Sequence, residues 1–225
     1  MLDDKKTNYH RLFFIYPLIY APWYLYLEKR TLNTYHIVHC FLDDVIPFCE
    51  YFVIPYFFWF IYMGALLAFL YIKNKDEFCR YCLWLTSGMT ICLFIYQFFP
   101  NGTGPSLRPA IDVSKNWAMR VVAWLYRTDT STNVFPSIHV FNTIGTHVAI
   151  CRSAYFHDKP IIKGASLFAV IAITLSTVCL KQHSALDAVA AMALSYIVFL
   201  FSYAKVPIPE ISLELFEKKN KKKMA

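Results

Sequence analysis

The sequence predicts an all-α polytopic membrane protein, a six-transmembrane-helix bundle in which residues 1–225 form a single membrane domain. Three observations predict it. Of the 225 residues, 57% are hydrophobic, 18% aromatic and 16% charged, where a soluble domain carries about 25% charged residues. The apolar residues are bunched into long runs instead of being spread at amphipathic spacing, the pattern of segments surrounded by lipid. The basic residues, finally, are shared unevenly between alternate loops.

Six runs qualify as spans: Leu12–Leu27, Tyr51–Ile72, Tyr81–Phe99, Pro136–Cys151, Ala165–Leu180 and Ala188–Ala204. About 20 residues cross a hydrocarbon core, so the shorter runs must draw on their flanks. Pro17, Pro22 and Pro55 fall within the first two runs and predict kinks, which membrane helices tolerate where neighbours satisfy the freed carbonyl. The first run follows the charged start Asp3-Asp4-Lys5-Lys6. No small-residue cleavage site follows it, and Tyr and Trp crowd it, so it reads as a retained helix and not as a signal peptide.

An even number of spans puts both termini on one side, together with the loops after the second and fourth helices. That side holds fifteen of the 22 Lys and Arg residues, against seven on the other. The positive-inside rule therefore predicts cytoplasmic termini, with residues 205–225 as a basic cytoplasmic tail. The formal net charge of +7 reads as a topology signal and a contact with the membrane surface. Nothing in the chain has the pattern of a nucleic-acid-binding module. The closing Lys222-Lys223-Met224-Ala225 resembles a dilysine retrieval signal, although a solvated basic tail is the default reading. The seven cysteines are odd in number and scattered in or near apolar segments, so they form no disulfide framework. Cys79-x-x-Cys82 lacks a second pair and reads as helix packing.

Residues that handle phosphate gather in three segments, all on the non-cytoplasmic face of this topology. The first, Asn101-Gly-Thr-Gly-Pro-Ser-Leu-Arg108-Pro109, predicts a tight turn, and Arg108 offers a planar fork suited to phosphate oxygens. The second, Asn133-Val-Phe-Pro136-Ser137-Ile-His139, opens the fourth helix. Proline suits the first helical position, and the unpaired amides that follow it, with the positive end of the dipole, make an anion site. His139 sits in that first turn, where a proton donor to a departing oxygen would stand. The third, Ser176 to Asp187, carries Lys181, His183 and Asp187. His183 and Asp187 are four residues apart and so share a helical face. A carboxylate on one imidazole nitrogen fixes the tautomer and leaves the other free to attack.

The order Arg108-Pro109, Pro136-Ser137-Ile138-His139 and His183-x-x-x-Asp187 resembles the type 2 phosphatidic acid phosphatase superfamily, whose motifs are K-x6-R-P, P-S-G-H and S-R-x5-H-x3-D on a six-helix fold. The resemblance covers residues 101–187. It implies that His183 is the nucleophile that becomes phosphorylated and that Asp187 orients it. It further implies that His139 protonates the leaving oxygen and then activates water or an acceptor alcohol, while Arg108 and Ser137 hold the phosphate. The family needs no metal and no cofactor. Three positions depart from its pattern. Asn101 stands where the family has lysine, Thr177 where it has arginine, and Ile138 where it has glycine. Lys181, one turn from Thr177, is the candidate replacement cation, with Lys115 behind it.

The expected function is a metal-independent lipid phosphate phosphatase acting on a phosphomonoester or pyrophosphate. The alternative is a phosphotransferase moving a headgroup between lipids, in the manner of the inositol-phosphorylceramide and sphingomyelin synthases. A non-catalytic transporter or scaffold ranks below both. The expected partners are a lipid phosphate and the membrane, with no nucleic acid and no indication of an oligomer.

The remaining loops fit around that site. Asp112 to Arg127 reads as a basic interfacial helix with Val113, Trp117, Val121, Trp124 and Leu125 as its apolar residues, either anchoring in the interface or guiding headgroups. Asp129 and Asn133 follow it as headgroup contacts. Thr31 to Glu50 holds His36, His39, Cys40, Asp43, Asp44 and Cys49. Their spacing fits no standard zinc set, and the stretch reads as a re-entrant segment lining the substrate entrance. Asn101-Gly-Thr103 matches a glycosylation sequon.

Overall fold

A computed structural model describes residues 9–32 and 34–204. The charged start at residues 3–6, the basic tail at 205–225 and Lys222-Lys223 lie outside the described residues. The chain is mostly helical. A 3-10 turn at Tyr9–Phe14 leads into α1 (Tyr16–Lys29), followed by the two-residue strand β1 (His36–Ile37) and the short α2 (Phe41–Val45). Next come α3 (Val53–Lys73), α4 (Lys75–Phe98), β2 (Asn101–Gly102) and α5 (Trp117–Thr128). The chain closes with α6 (Ile138–Arg152), α7 (Pro160–Cys179) and α8 (Ala185–Ser202).

Four segments are long and apolar enough to cross a membrane: Glu50–Lys73, Lys75–Phe98, Pro160–Cys179 and Ala185–Ser202. The other two expected spans form shorter helices. α1 has 14 residues and α6 has 15, so each is roughly 21–23 Å long against a hydrocarbon core of about 30 Å. α6 packs against α3, α4, α7 and α8, and it seals Asn142, Thr143 and Thr146 inside the bundle. Burial among other helices accounts for its apolar run as well as lipid would. α1, by contrast, leaves Leu18, Ile19, Leu25 and Tyr26 exposed.

Local chemistry sets the boundaries. Asn74 is extended, ending α3, and its side chain accepts from the amides of Asp76 and Glu77 to start α4. α4 therefore begins six residues before the apolar run at Tyr81, since a capped first turn tolerates Asp76 and Glu77. Of the three prolines expected to kink, Pro17 and Pro55 sit in the first turns of α1 and α3, and Pro22 is interior to α1. First-turn prolines sacrifice an N–H that has no helical partner in any case.

The core is a seam between α4 and α6. Trp84 of α4 stacks on Phe141 of α6 with ring centroids 5.4 Å apart. Each ring also lies on a glycine of the opposite helix, Phe141 over Gly88 and Trp84 over Gly145, so a methyl group at either glycine would overlap the ring. Gly88→Ala and Gly145→Ala are expected to destabilise by about 1–3 kcal/mol through overpacking, lowering the midpoint of thermal unfolding in detergent. Gly64→Ala, with nothing within 4 Å of the added carbon, should leave it unchanged.

Candidate active site

The loops after α1, α4 and α7 meet at one end of the bundle. β1 and β2 pair in parallel, His36 with Asn101 and Ile37 with Gly102, and Gly102 bridges to Thr132. Asn101 is completely buried and clamps the segment ahead of α6. Its Oδ1 accepts from the amides of Val134 (2.9 Å) and Phe135 (2.8 Å), and its Nδ2 donates to the carbonyls of Phe99 (2.8 Å) and Phe135 (3.2 Å). With both ends of its carboxamide bonded, the sequon asparagine has no room for a glycan in the folded chain. The residue at the resembled family's lysine position thus acts as a backbone brace.

The brace sets the start of α6. Ser137 caps the helix, its Oγ accepting from Val140 N at 3.4 Å, and its own amide donates to the carbonyl of Asp187 at 3.2 Å. The amides of Ile138 and His139 have no acceptor among the described residues, the usual state of first-turn donors and a place for an anion. Ser137 itself is completely buried, so its hydroxyl serves the cap.

His183 sits just ahead of α8. Its Nδ1 is 3.0 Å from the carbonyl of Val134 and 3.1 Å from Asp187 Oδ2. Both neighbours are acceptors, so Nδ1 carries the proton and Nε2 presents its lone pair. The same Asp187 oxygen accepts from Ser184 N at 2.9 Å, closing a capping box at the start of α8. His139 faces His183 edge-on, ring centroids 5.7 Å apart, and lies between the rings of Tyr56 and Trp59, each 4.6 Å away. Both histidines line a cavity of about 430 Å³ bounded mainly by aromatic side chains from α1, α3, α4 and α5. No family model matches the chain, and no curated protein matches it. What the site can do is therefore argued from its own chemistry.

The expected phosphate-binding cations stand back from this cavity. Arg108 donates through Nη2 to the carbonyls of Asp129 (3.0 Å) and Thr130 (2.7 Å) and to Gln182 Oε1, and its guanidinium lies 4.4 Å from the centre of the Tyr126 ring. Burial pulls the Arg108 pKa below its ordinary value while Asp129 draws it back. Lys181 donates to the carbonyls of Asp43 (2.6 Å) and Ile46 (2.5 Å) and borders a separate polar cavity beside His39 and Asp44. Lys115 pairs with Glu50 at 2.7 Å. Thr177 is completely buried, its carbonyl accepting from the amides of Gln182 and His183. Asn133 (φ 58°) and Lys181 (φ 54°) take left-handed backbone on either side of the site. Such strain, of order 1–3 kcal/mol, persists where surrounding contacts over-determine it. Here the Lys181 ammonium is fixed by two carbonyls, and Asn133 donates to Leu27 O at 3.1 Å.

Three contributors escaped the motif reading. Tyr56 and Trp59 were hidden among the consecutive aromatics Tyr56 to Phe60 in the first half of α3. Asp43 is buried; its Oδ2 accepts from Ser184 Oγ at 2.5 Å and its Oδ1 from Ala185 N at 2.8 Å. It pins α2 to the start of α8, and the spacing of Cys40 and Asp43, a capping box around α2, was its one sequence signal. His36 stacks on Phe99 with centroids 4.0 Å apart, and His39 pairs with Asp44 at 3.0 Å. The seven cysteines are all free. The segment expected to lie in the interface forms α5, whose buried face is Ala118, Met119, Val122 and Leu125, with Trp117 and Trp124 exposed and Trp124 at the edge of the cavity.

Asp43→Ala removes a charged acceptor from two hydrogen bonds at the α8 cap and should cost about 2–3 kcal/mol. The expected signs are a lower unfolding midpoint and faster amide exchange across residues 183–187 than across α7.

Proposed function

We propose that this chain is a six-span integral membrane enzyme that transfers phosphoryl groups on a lipid phosphate ester through a covalent phosphohistidine, with water as the usual acceptor. The four long helices supply four spans, and α1, with its exposed apolar face, and α6 supply the others. By the distribution of basic residues the termini are cytoplasmic and the site opens on the opposite face. The observation that carries the chemistry is the fixed tautomer of His183, whose Nδ1 is held between Val134 O and Asp187.

The geometry supports a two-step reaction. His183 Nε2 bonds to phosphorus, the bond from phosphorus to the leaving oxygen breaks, and His139 gives that oxygen a proton. The imidazolium that forms at His183 is stabilised by Asp187. His139 then takes a proton from water, which attacks phosphorus and restores His183, releasing phosphate. The unpaired amides of Ile138 and His139 suit the developing negative charge. A second reading, in which an acceptor lipid hydroxyl replaces water, draws support from the aromatic lining of the cavity, which disfavours bulk water.

Purified protein in detergent with a chelator present is expected to release phosphate from a lipid phosphate panel, or to exchange headgroups when an acceptor lipid is added. His183→Ala should lower turnover at least a thousandfold, and a ³²P label on the wild-type chain should be acid-labile and alkali-stable. Unchanged turnover in that variant would overturn the histidine mechanism.

A further inference from the structure

Resting on the phosphoryl-transfer reading of the same site, we infer that the cavity beside the histidines is a receptor for an alkylammonium group carried on the phosphate ester, as in a phosphocholine or phosphoethanolamine headgroup. The cavity is lined by Tyr20, Tyr24, Tyr56, Trp59, Phe60 and Trp124, with further aromatics behind them, and by one carboxylate, Asp129. No lysine or arginine lines it among the described residues. A wall of aromatic faces around one acidic group attracts a cation through the ring quadrupoles, and quaternary ammonium ions are the ligands such cages take. Its volume of about 430 Å³ falls in the range for a small ligand group.

The two ends of such a headgroup match the two ends of the cavity. Tyr56 joins them, its hydroxyl donating to Asp129 Oδ2 at 2.5 Å and its ring packing 4.6 Å from that of His139. One tyrosine side chain therefore separates the carboxylate from the catalytic imidazole, and an ammonium at Asp129 leaves its phosphate beside His139 and His183. The indole N–H of Trp59, also on the cavity wall, is buried without an acceptor among the described residues and is a spare donor for a phosphate oxygen.

Charge points the same way. Arg108 gives its Nη donors to carbonyl oxygens and Gln182, and its Nε, buried without a partner among the described residues, belongs to a side chain that does not line the cavity. Glu28 adds a second carboxylate at the same corner, accepting from Thr130 N at 2.6 Å. A bare phosphomonoester, with its charge of about −1.5 to −2, meets no cation on the cavity wall. A headgroup that carries its own ammonium brings the missing positive charge with it, which accounts for Asn101 and Thr177 at the positions where the resembled family has lysine and arginine.

The test is calorimetric binding to the full-length His183→Ala chain in maltoside detergent, where no turnover interferes. The probes are short-chain phosphatidylcholine, phosphatidylethanolamine, phosphatidylglycerol and phosphatidate. At least tenfold tighter binding of the two amine-bearing probes is expected. Asp129→Asn should bring them within threefold of phosphatidylglycerol, whose own affinity stays the same. Trp124→Leu, at an exposed position that does not hold the core, should cut amine-probe binding severalfold and serves as the second variant if Asp129→Asn does not fold. Equal affinity for all four probes, or an amine preference that survives Asp129→Asn, would overturn the inference. Binding does not depend on chemistry. An amine preference without turnover in the wild-type chain would sink the phosphohistidine reading alone, and turnover without an amine preference would sink this one alone.

Discussion

Asp187 ties two helix starts to the candidate nucleophile. Its Oδ2 accepts from His183 Nδ1 and from the Ser184 amide, and its main-chain oxygen accepts from the Ser137 amide at the head of α6. One residue thereby starts α8, orients the candidate nucleophile and aligns two helix beginnings, so that the amides of Ile138 and His139 face the same space as His183. A buried carboxylate is costly unless its oxygens are bonded. Here Oδ2 has those bonds, while Oδ1 has no partner among the described residues. The acid-bearing start of α8 holds because Asp43 binds the next amide and hydroxyl from the far side, where the helix dipole favours negative charge.

Much of this organisation is legible in the sequence. Long apolar runs announce α3, α4, α7 and α8, and the four-residue spacing of His183 and Asp187 brings them within bonding distance. Hydropathy alone does not say what surrounds α6, because a central helix wrapped by protein carries the same apolar residues as one wrapped by lipid. The roles of Arg108 and Lys181 are illegible for a different reason. A basic residue in a loop faces whichever acceptors the backbone turns towards it, and the left-handed turn at Lys181 directs its ammonium to the carbonyls of Asp43 and Ile46. Tyr56 and Trp59 could not be separated by pattern from aromatics of α3 that lie off the cavity, such as Phe58.

The cavity combines features that reinforce one another. Aromatic walls exclude water and lower the local dielectric, which strengthens the attraction between any cation and Asp129 and any anion and the helix start. Rigid rings also lose little conformational freedom when a ligand settles against them. His139 is pressed between two such rings and has no hydrogen-bonding partner for its side chain among the described residues.

The paired glycines of α4 and α6 carry a mechanical consequence. Two rings seated over two glycines, one from each helix, act like teeth in opposing racks. To slide α6 along α4 by even a fraction of a 5.4 Å turn, both would have to lift together. Tyr96 adds a third stop, its hydroxyl donating to Pro136 O at 2.6 Å just ahead of the helix. The height of His139 along the bundle axis is thus set by an interlock that begins within the next turn of the same helix, at Phe141 and Gly145. The side of the cavity bordered by α1 and α5 has no such pairing of ring and glycine among the described residues.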